Sequence, residues 1–404
     1  MRPFHGRRIL LGVTGGIACY KSLILARLLT QAGVEVDVVM TAAAQEFVGR
    51  ITFEALTGRP TYSSLLDAGH ALDHVRLARA ADLIVVAPAT ADFLARAAQG
   101  RADDLLSACL LAADAPVLIV PAMNDRMWAH RQTALNAGHL RELGYVVIEP
   151  ADGPLAVGEG SGPGRMPEPE SIMAHIGRLL ETRGTLEGRR VVVTAGPTRE
   201  AMDPVRYISN HSSGLMGVSI AAAAWRRGAD VLLVHGPLMV PLPEGVQSVA
   251  VQTTQQMRDV VAAALGSSDA LIMAAAPADF APRDPSKTKI RKGDLPAPIE
   301  LSPTPDILVT TRRDRKPGSI IVGFALETGD PRASAREKLI RKGLDMIVAN
   351  DATEAGAGFG VPTNRVVFIH ADEREEALPL LPKEEVADEL LDRVEMLLER
   401  SSGR

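Results

Sequence analysis

Residues 203–217, DPVRYISNHSSGLMG, follow the stretch VVVTAGPTRE at 191–200, and together they hold side chains that can grip anions. Val191–Thr194 has the pattern of a buried strand, and Ala195–Gly196–Pro197 breaks it where the next backbone N–H groups can face a phosphate. Arg199 and Arg206 add fork-shaped donors, and Asn210, His211, Ser212 and Ser213 add neutral ones ahead of the small-residue helix pattern SIAAAAWRRG. A second strand and glycine junction, RILLGVTGGIACYK at 8–21, sets Thr14, Gly15 and Gly16 in the same relation to a following helix. That turn by itself fits a structural role as well as a ligand.

Other residues gather at the predicted carboxyl ends of strands, where open parallel sheets bind ligands. Pro88, Thr90 and Asp92 follow the strand in DLIVVAPATAD, and Pro121–Ala122–Met123–Asn124 follows the one in APVLIVPAMND. His74 lies in a helical stretch, LDHVRLARAAD; it reads either as a surface histidine or as a base aimed at that edge. Asp279 ends ALIMAAAPADF, as a capping aspartate or as a group that orients a metal, a phosphate or a hydroxyl. Lys287, Lys289, Arg291 and Lys292 form a basic run, and Lys338 and Lys342 share a helical face. Each reads as a solvated surface or as a grip on polyphosphate.

The elements needed to position these residues alternate in βαβ rhythm. Apolar runs at 9–13, 35–40, 82–87, 117–121 and 145–148, then at 190–195, 231–235, 248–251, 270–275, 319–323 and 346–349, predict strands. The expected fold class is α/β, with two doubly wound, Rossmann-like domains whose sheets are mainly parallel. The charged, Gly-containing stretch 178–189 places a boundary between residues 1–183 and 184–404. Residues 151–169, dense in Gly and Pro, predict a long irregular loop, either a connector or a lid. Residues 281–304 predict an excursion, and Leu390, Leu391, Val394, Leu397 and Leu398 mark the inner face of a last helix.

A chain of 404 residues exceeds what one core usually supports. With 44 basic and 49 acidic side chains, it has no general field for nucleic acid or an anionic membrane. Its two cysteines, Cys19 and Cys109, cannot form a disulfide framework and suit a reducing cytosol. No signal peptide or membrane span is expected, so the expected location is cytoplasmic.

These segments resemble the bacterial bifunctional coenzyme A enzymes, in which phosphopantothenoylcysteine decarboxylase is fused to phosphopantothenate-cysteine ligase. The likeness rests on GVTGGIACYK, ADLIVVAPATAD, GRADDLLS, PAMN and GPGRM in the first half. In the second it rests on VTAGPTREAMDPVRYISNHSSG, AAPADF, KIRK, TPDIL, VGFALET and KLIRKGLD. The resemblance implies a flavodoxin-like flavoprotein domain followed by a ligase domain. It implies FMN at Thr14, Gly15, Gly16, Thr41, Pro88, Thr90 and Ser107, with His74 as base and Met123 and Asn124 at the substrate. The flavin would oxidise the thiol to a thioaldehyde, so that loss of CO₂ gives a stabilised enethiol, and would then return the electrons.

In the second half, the resemblance implies that 4′-phosphopantothenate is activated by CTP as an acyl-cytidylate, which the amine of L-cysteine then consumes. Asn210 and Arg206 would hold the acyl group, and Lys289 would stabilise charge during transfer. Ala274, Asp279, Lys289, Pro305, Asp306, Ile307, Leu308, Phe324, Lys338 and Lys342 would hold CTP with Mg²⁺, Asp279 being the candidate metal contact. A homo-oligomer is implied, a dodecamer built from trimers and dimers.

The chain departs from the family pattern at four places. Val157 and Gly158 stand where many relatives carry a proton-donating cysteine, which leaves Glu159, Ser161 or water as the expected donor. Leu215, Pro277 and Leu326 replace the usual residues of SSGK, AAVAD and GFAAET. Halotolerance-type flavin-binding regulators and lantibiotic-type peptidyl-cysteine decarboxylases share only the first half, so a complete second half favours the two-activity enzyme.

Overall fold

The computed structural model describes residues 2–66, 72–181, 186–291 and 299–402. Lys292 of the basic run and the residues flanking the expected 183/184 boundary lie outside them. The chain divides into two compact units, Met1–Thr182 and Arg183–Arg404.

The first unit is built on β1 (Arg8–Val13), β2 (Glu35–Met40), β3 (Thr61–Tyr62), β4 (Leu83–Ala89), β5 (Val117–Pro121) and β6 (Val146–Val147). They form one sheet in the order β3-β2-β1-β4-β5-β6, and every pair is parallel. Without the two-residue edge strand β3, this is the 2-1-3-4-5 order of flavodoxin-like sheets. Strands β1, β2, β4 and β5 are buried on both faces because helices cover both. Helix α1 (Cys19–Gln31) covers one face with Leu25 and Leu29, and α2 (Asp73–Ala80), α3 (Ala91–Ala98) and α4 (Leu105–Leu111) cover the other.

The irregular loop expected at 151–169 is instead largely a hairpin. β7 (Ala151–Pro154) pairs antiparallel with β8 (Ser161–Arg165). A strand ladder needs only backbone groups, and here Gly162 and Gly164 are buried because the hairpin lies flat on neighbouring chain. Helix α5 (Pro169–Leu180) follows and buries Ile172, Ile176 and Leu180.

The second unit repeats the plan with an extension. β9 (Arg190–Ala195), β10 (Asp230–His235), β11 (Gln247–Ala250), β12 (Ala270–Met273), β13 (Ile320–Glu327) and β14 (Met346–Asp351) are parallel, in the order β11-β10-β9-β12-β13-β14. Two antiparallel strands not foreseen, β15 (Val367–His370) and β16 (Glu375–Ala377), complete the sheet. Their short segments lack the long apolar runs of the inner strands. In place of a bare excursion at 281–304, residues 280–282 pair antiparallel with 301–303.

Helix α6 (Leu215–Arg226) packs on the last helix, α7 (Lys383–Ser402). Leu390, Leu391, Val394 and Leu398 are buried between α7 and the sheet, with Leu397 partly so. Arg227, just past α6, is buried and meets Asp388, Asp392 and Glu395 of α7.

Candidate functional sites

In each sheet the strand order reverses beside the first strand, between β1 and β4 and between β9 and β12, which opens a crevice at the carboxyl edge. In the first unit, Thr14 sits there with its side chain committed. Its hydroxyl donates to the Pro88 carbonyl (2.8 Å) and accepts from the Thr90 N–H (3.0 Å), tying the ends of β1 and β4 together. Gly15 is required sterically, since a Cβ would stand 2.4 Å from Cβ of Ala43. At Gly16 a Cβ would meet only Thr90 Cγ2, at 3.9 Å, so this peptide borders open space.

Thr41 and Thr90 cap the helices that follow them, accepting from the Ala44 and Phe93 amides. Ser107 is buried, and its hydroxyl donates to Asp104 Oδ1 (2.8 Å) inside the capping box of α4.

His74 stands in the first turn of α2, half-buried, and its Nδ1 is shut off from solvent with no hydrogen-bond partner. Met123 and Asn124 follow β5; the Met123 amide donates to the Gly164 carbonyl (3.0 Å), and Asn124 Oδ1 caps the next turn through the Arg126 amide. The β7–β8 hairpin is thus seated on this segment. The approach is close: a Cβ on Gly164 would lie 2.3 Å from the Met123 carbonyl oxygen. Val157 is fully exposed at the hairpin tip, and Glu159 and Ser161 are exposed beside it.

Lys21, which sequence reasoning did not single out, anchors the other end of the hairpin. Its buried Nζ donates to the Met166 carbonyl (2.7 Å) and to Glu168 (2.8 Å), and Glu168 also takes Arg165 (3.1 Å). Its only signal was a charge within the apolar face of GVTGGIACYK.

In the second unit, β9 is followed by Gly196, whose φ of +74° favours glycine. A Cβ on Gly217 would lie 2.6 Å from the Thr194 carbonyl oxygen, so α6 is pressed onto β9 with its amino end at the crevice. Asn210 reaches across, donating from Nδ2 to the carbonyls of Ala276 (3.1 Å) and Pro277 (3.0 Å). A cavity of about 350 Å³ opens there, lined by Asn210, Ser212, Ser213, Ala274, Asp279 and Phe324. Leu215, Pro277 and Leu326, the three family departures in this half, line it too.

The remaining residues of the expected ligase set lie elsewhere than on this wall. Arg206 is engaged by Asp203 through Nε (3.0 Å) and Nη2 (2.5 Å), and also donates to the Ile290 carbonyl (2.7 Å). Asp203 in turn accepts from the Ile290 amide (3.1 Å). Arg206, with backbone amides of Val205, itself and Ile290, holds the Asp203 carboxyl far below the usual carboxylate range. This tether fixes the loop that carries Lys289.

Lys338 pairs with Glu327, which it holds below the ordinary carboxylate value, and Lys342 pairs with Asp306 (3.0 Å). Ile307 and Leu308 bury their side chains in the core, and their carbonyls accept from Thr311 Oγ1 and Arg315. Pro305 and Asp306 are half-buried. Among the described residues, no three of His, Cys, Asp or Glu are grouped as a metal site. Asp203, Lys383, Asn350 and Asn364, which shape this region, carried no sequence signal because their meaning lies in partners far along the chain.

Residues 2–181 match the Flavoprotein family model, and residues 186–398 match that of the DNA/pantothenate metabolism flavoprotein C-terminal domain. The coenzyme A biosynthesis bifunctional protein CoaBC of Vibrio cholerae is 44% identical over 97% of this chain and 98% of its own. That of Bacillus subtilis is 43% identical over 99% of both. The chain belongs to the CoaBC family. A crystal structure of the C-terminal domain of such a CoaBC protein is 39% identical, covers 54% of this chain and 99% of its own, and superposes with a TM-score of 0.46. Membership in CoaBC makes the protein a bifunctional decarboxylase and ligase of coenzyme A biosynthesis, with a flavoprotein first unit. The match to the second unit sets it apart from regulators and peptide decarboxylases that share only the first. No helix among the described residues is long and apolar enough to cross a membrane.

Proposed function

We propose that the second unit joins 4′-phosphopantothenate to L-cysteine at the expense of CTP, and that the first unit decarboxylates the product to 4′-phosphopantetheine. The observation that carries this reading is the convergence of Asn210, Ala274, Asp279 and Phe324 on one cavity at the reversal point of the second sheet. A free carboxylate is a poor acyl donor, so activation as an acyl-cytidylate with loss of pyrophosphate precedes attack by the amine. Asn210 orients the acyl group. Lys289, on the loop tethered by Asp203 and Arg206, offsets charge as the amide C–N bond forms and CMP leaves. Lys338 and Lys342 exchange Glu327 and Asp306 for phosphate oxygens when CTP, carrying Mg²⁺, arrives. Asp279 contacts the nucleotide or its metal. Pro305–Leu308 borders the base.

In the first unit the residues fit FMN, since the Gly16 peptide faces open space beside two helix amino ends. FMN, when bound, supplies the oxidation that makes decarboxylation possible and later returns the electrons. His74 takes the substrate proton, and its otherwise unpaired Nδ1 gains a partner. Asn124 and Met123 hold the substrate carboxylate while the β7–β8 hairpin closes over it. With Val157 at the tip, the final proton comes from Glu159, Ser161 or ordered water.

Assembly through the first unit is supported by exposed Tyr20 and Ile24 of α1, beside exposed Ile17, Phe47 and Ile51. The expected particle is a dodecamer of trimers and dimers. Purified protein should be yellow and should release pyrophosphate from CTP only with phosphopantothenate present. Colourless protein that FMN does not restore, or no ligation with any nucleoside triphosphate, refutes the reading. Lys289→Gln should accumulate the acyl-cytidylate; unimpaired ligation would remove Lys289 from its role.

A further inference from the structure

One part of the ligase cavity is not used by the chemistry above. Lys383, the first residue of α7, lines it and is only 4% exposed. Its Nζ donates to the Gly358 carbonyl (2.9 Å), and no carboxylate of the described residues lies within 4.0 Å of it. Lys338, Lys342 and the buried Lys21 each have a carboxylate partner. A buried ammonium satisfied by one neutral carbonyl is costly, and burial pushes its pKa below the ordinary lysine value. An anion entering the cavity would relieve that cost.

A second donor stands beside it. Asn364 is buried, and its Oδ1 accepts from the Gly358 amide (3.3 Å) and from Asn350 Nδ2 (3.3 Å). Both side chains therefore bind Gly358, Lys383 at its carbonyl and Asn364 at its amide. That orientation points the Asn364 oxygen at protein donors and leaves its NH₂ with no protein acceptor among the described residues. An ammonium next to an amide NH₂ matches the two oxygens of one carboxylate.

We infer that Lys383 and Asn364 form a carboxylate subsite in the ligase cavity, and that it takes the α-carboxylate of the incoming amino acid. A triphosphate, with several charges to offset, fits the paired lysines of α-helical residues 332–342 better than a single enclosed ammonium. A carboxylate held at Lys383 keeps the amine, one carbon away, inside the cavity that Asn210 also lines. The inference rests on the ligase reading and names the determinant of its second substrate.

The test compares cysteine with cysteamine, the same aminothiol without the carboxylate, in Lys383→Gln. The loss of a charge-assisted contact should raise the KM for cysteine by roughly 10- to 100-fold. KM for cysteamine and for CTP, and pyrophosphate release before any amine is added, should stay within about two-fold of wild type. Equal losses for both amines would mean that Lys383 only holds the Gly358 loop, and a rise confined to CTP would mean that it serves the nucleotide; either overturns the inference. Asn364→Asp keeps the acceptor for Gly358 and Asn350 but sets a negative charge against the carboxylate, so it should show the same selective loss even where the lysine variant folds poorly. Wild-type protein without CTP-dependent pyrophosphate release would instead sink the underlying ligase assignment.

Discussion

Gly164→Ala tests whether the β7–β8 hairpin must lie on Met123 and Asn124 for decarboxylation. The glycine is not in the left-handed region, so alanine brings only steric cost. Its Cβ would stand 2.3 Å from the Met123 carbonyl oxygen, 3.1 Å from the Asp125 nitrogen and 3.3 Å from the Asn124 carbonyl carbon. All three are backbone atoms, which cannot swing away as a side-chain end can. Restoring ordinary contact needs the strands to part by about 1 Å, which also weakens the 3.0 Å bond from the Met123 amide to the Gly164 carbonyl. A misplacement of about 1 Å in a catalytic constellation costs on the order of 100-fold in rate.

The assay is CO₂ release from the cysteine conjugate, with flavin content and CTP-dependent pyrophosphate release as controls for each unit. Decarboxylation should fall on the order of 100-fold while both controls hold. Gly162→Ala should do much less, because its nearest neighbour is the Asp125 side chain at 3.1 Å, which can turn aside. Wild-type decarboxylation by Gly164→Ala would show that the hairpin contact has no part in the reaction.

Three further outcomes follow from the second unit. Asp203→Asn removes the charge that holds Arg206 and the Ile290 amide, so ligation should slow while decarboxylation of supplied conjugate is unchanged; equal ligation rates would show that the loop needs no tether. Arg227→Leu leaves the buried Glu395 without its cation, while Asp388 keeps Arg226, and should lower the unfolding free energy of this unit by about 3–5 kcal/mol in a denaturant titration. His370 is buried with Nδ1 unpaired, facing Glu376, Arg374 and Asp372; burial first, then Arg374, hold its pKa below the usual imidazole value despite Glu376. The unfolded chain therefore binds the proton more readily, so this contribution to stability is complete above pH of about 6.5 and is lost as pH falls toward the folded value. Thermal melts of His370→Asn should lose that part of the pH dependence.

The sequence alone was enough for the two doubly wound sheets and for the residues at their reversal points. Runs such as DLIVVAPA and RVVVTAGP are apolar throughout because both faces of a parallel strand are covered, and that pattern is local. The motifs around Thr14, Pro88, Asn210 and Asp279 were legible because a glycine or proline break after such a run marks a strand end. Only the tertiary structure decided what depends on distant partners. The hairpin at 151–165 was hidden because backbone pairing leaves no side-chain period in a Gly- and Pro-rich stretch. Arg206 read as a donor until Asp203 and Ile290 were found around it, and Lys383 drew no reading until its bond to Gly358, 25 residues away, was seen. Burial and hydrogen-bond partners are properties of contacts between segments, and no window along the chain contains both members of such a contact.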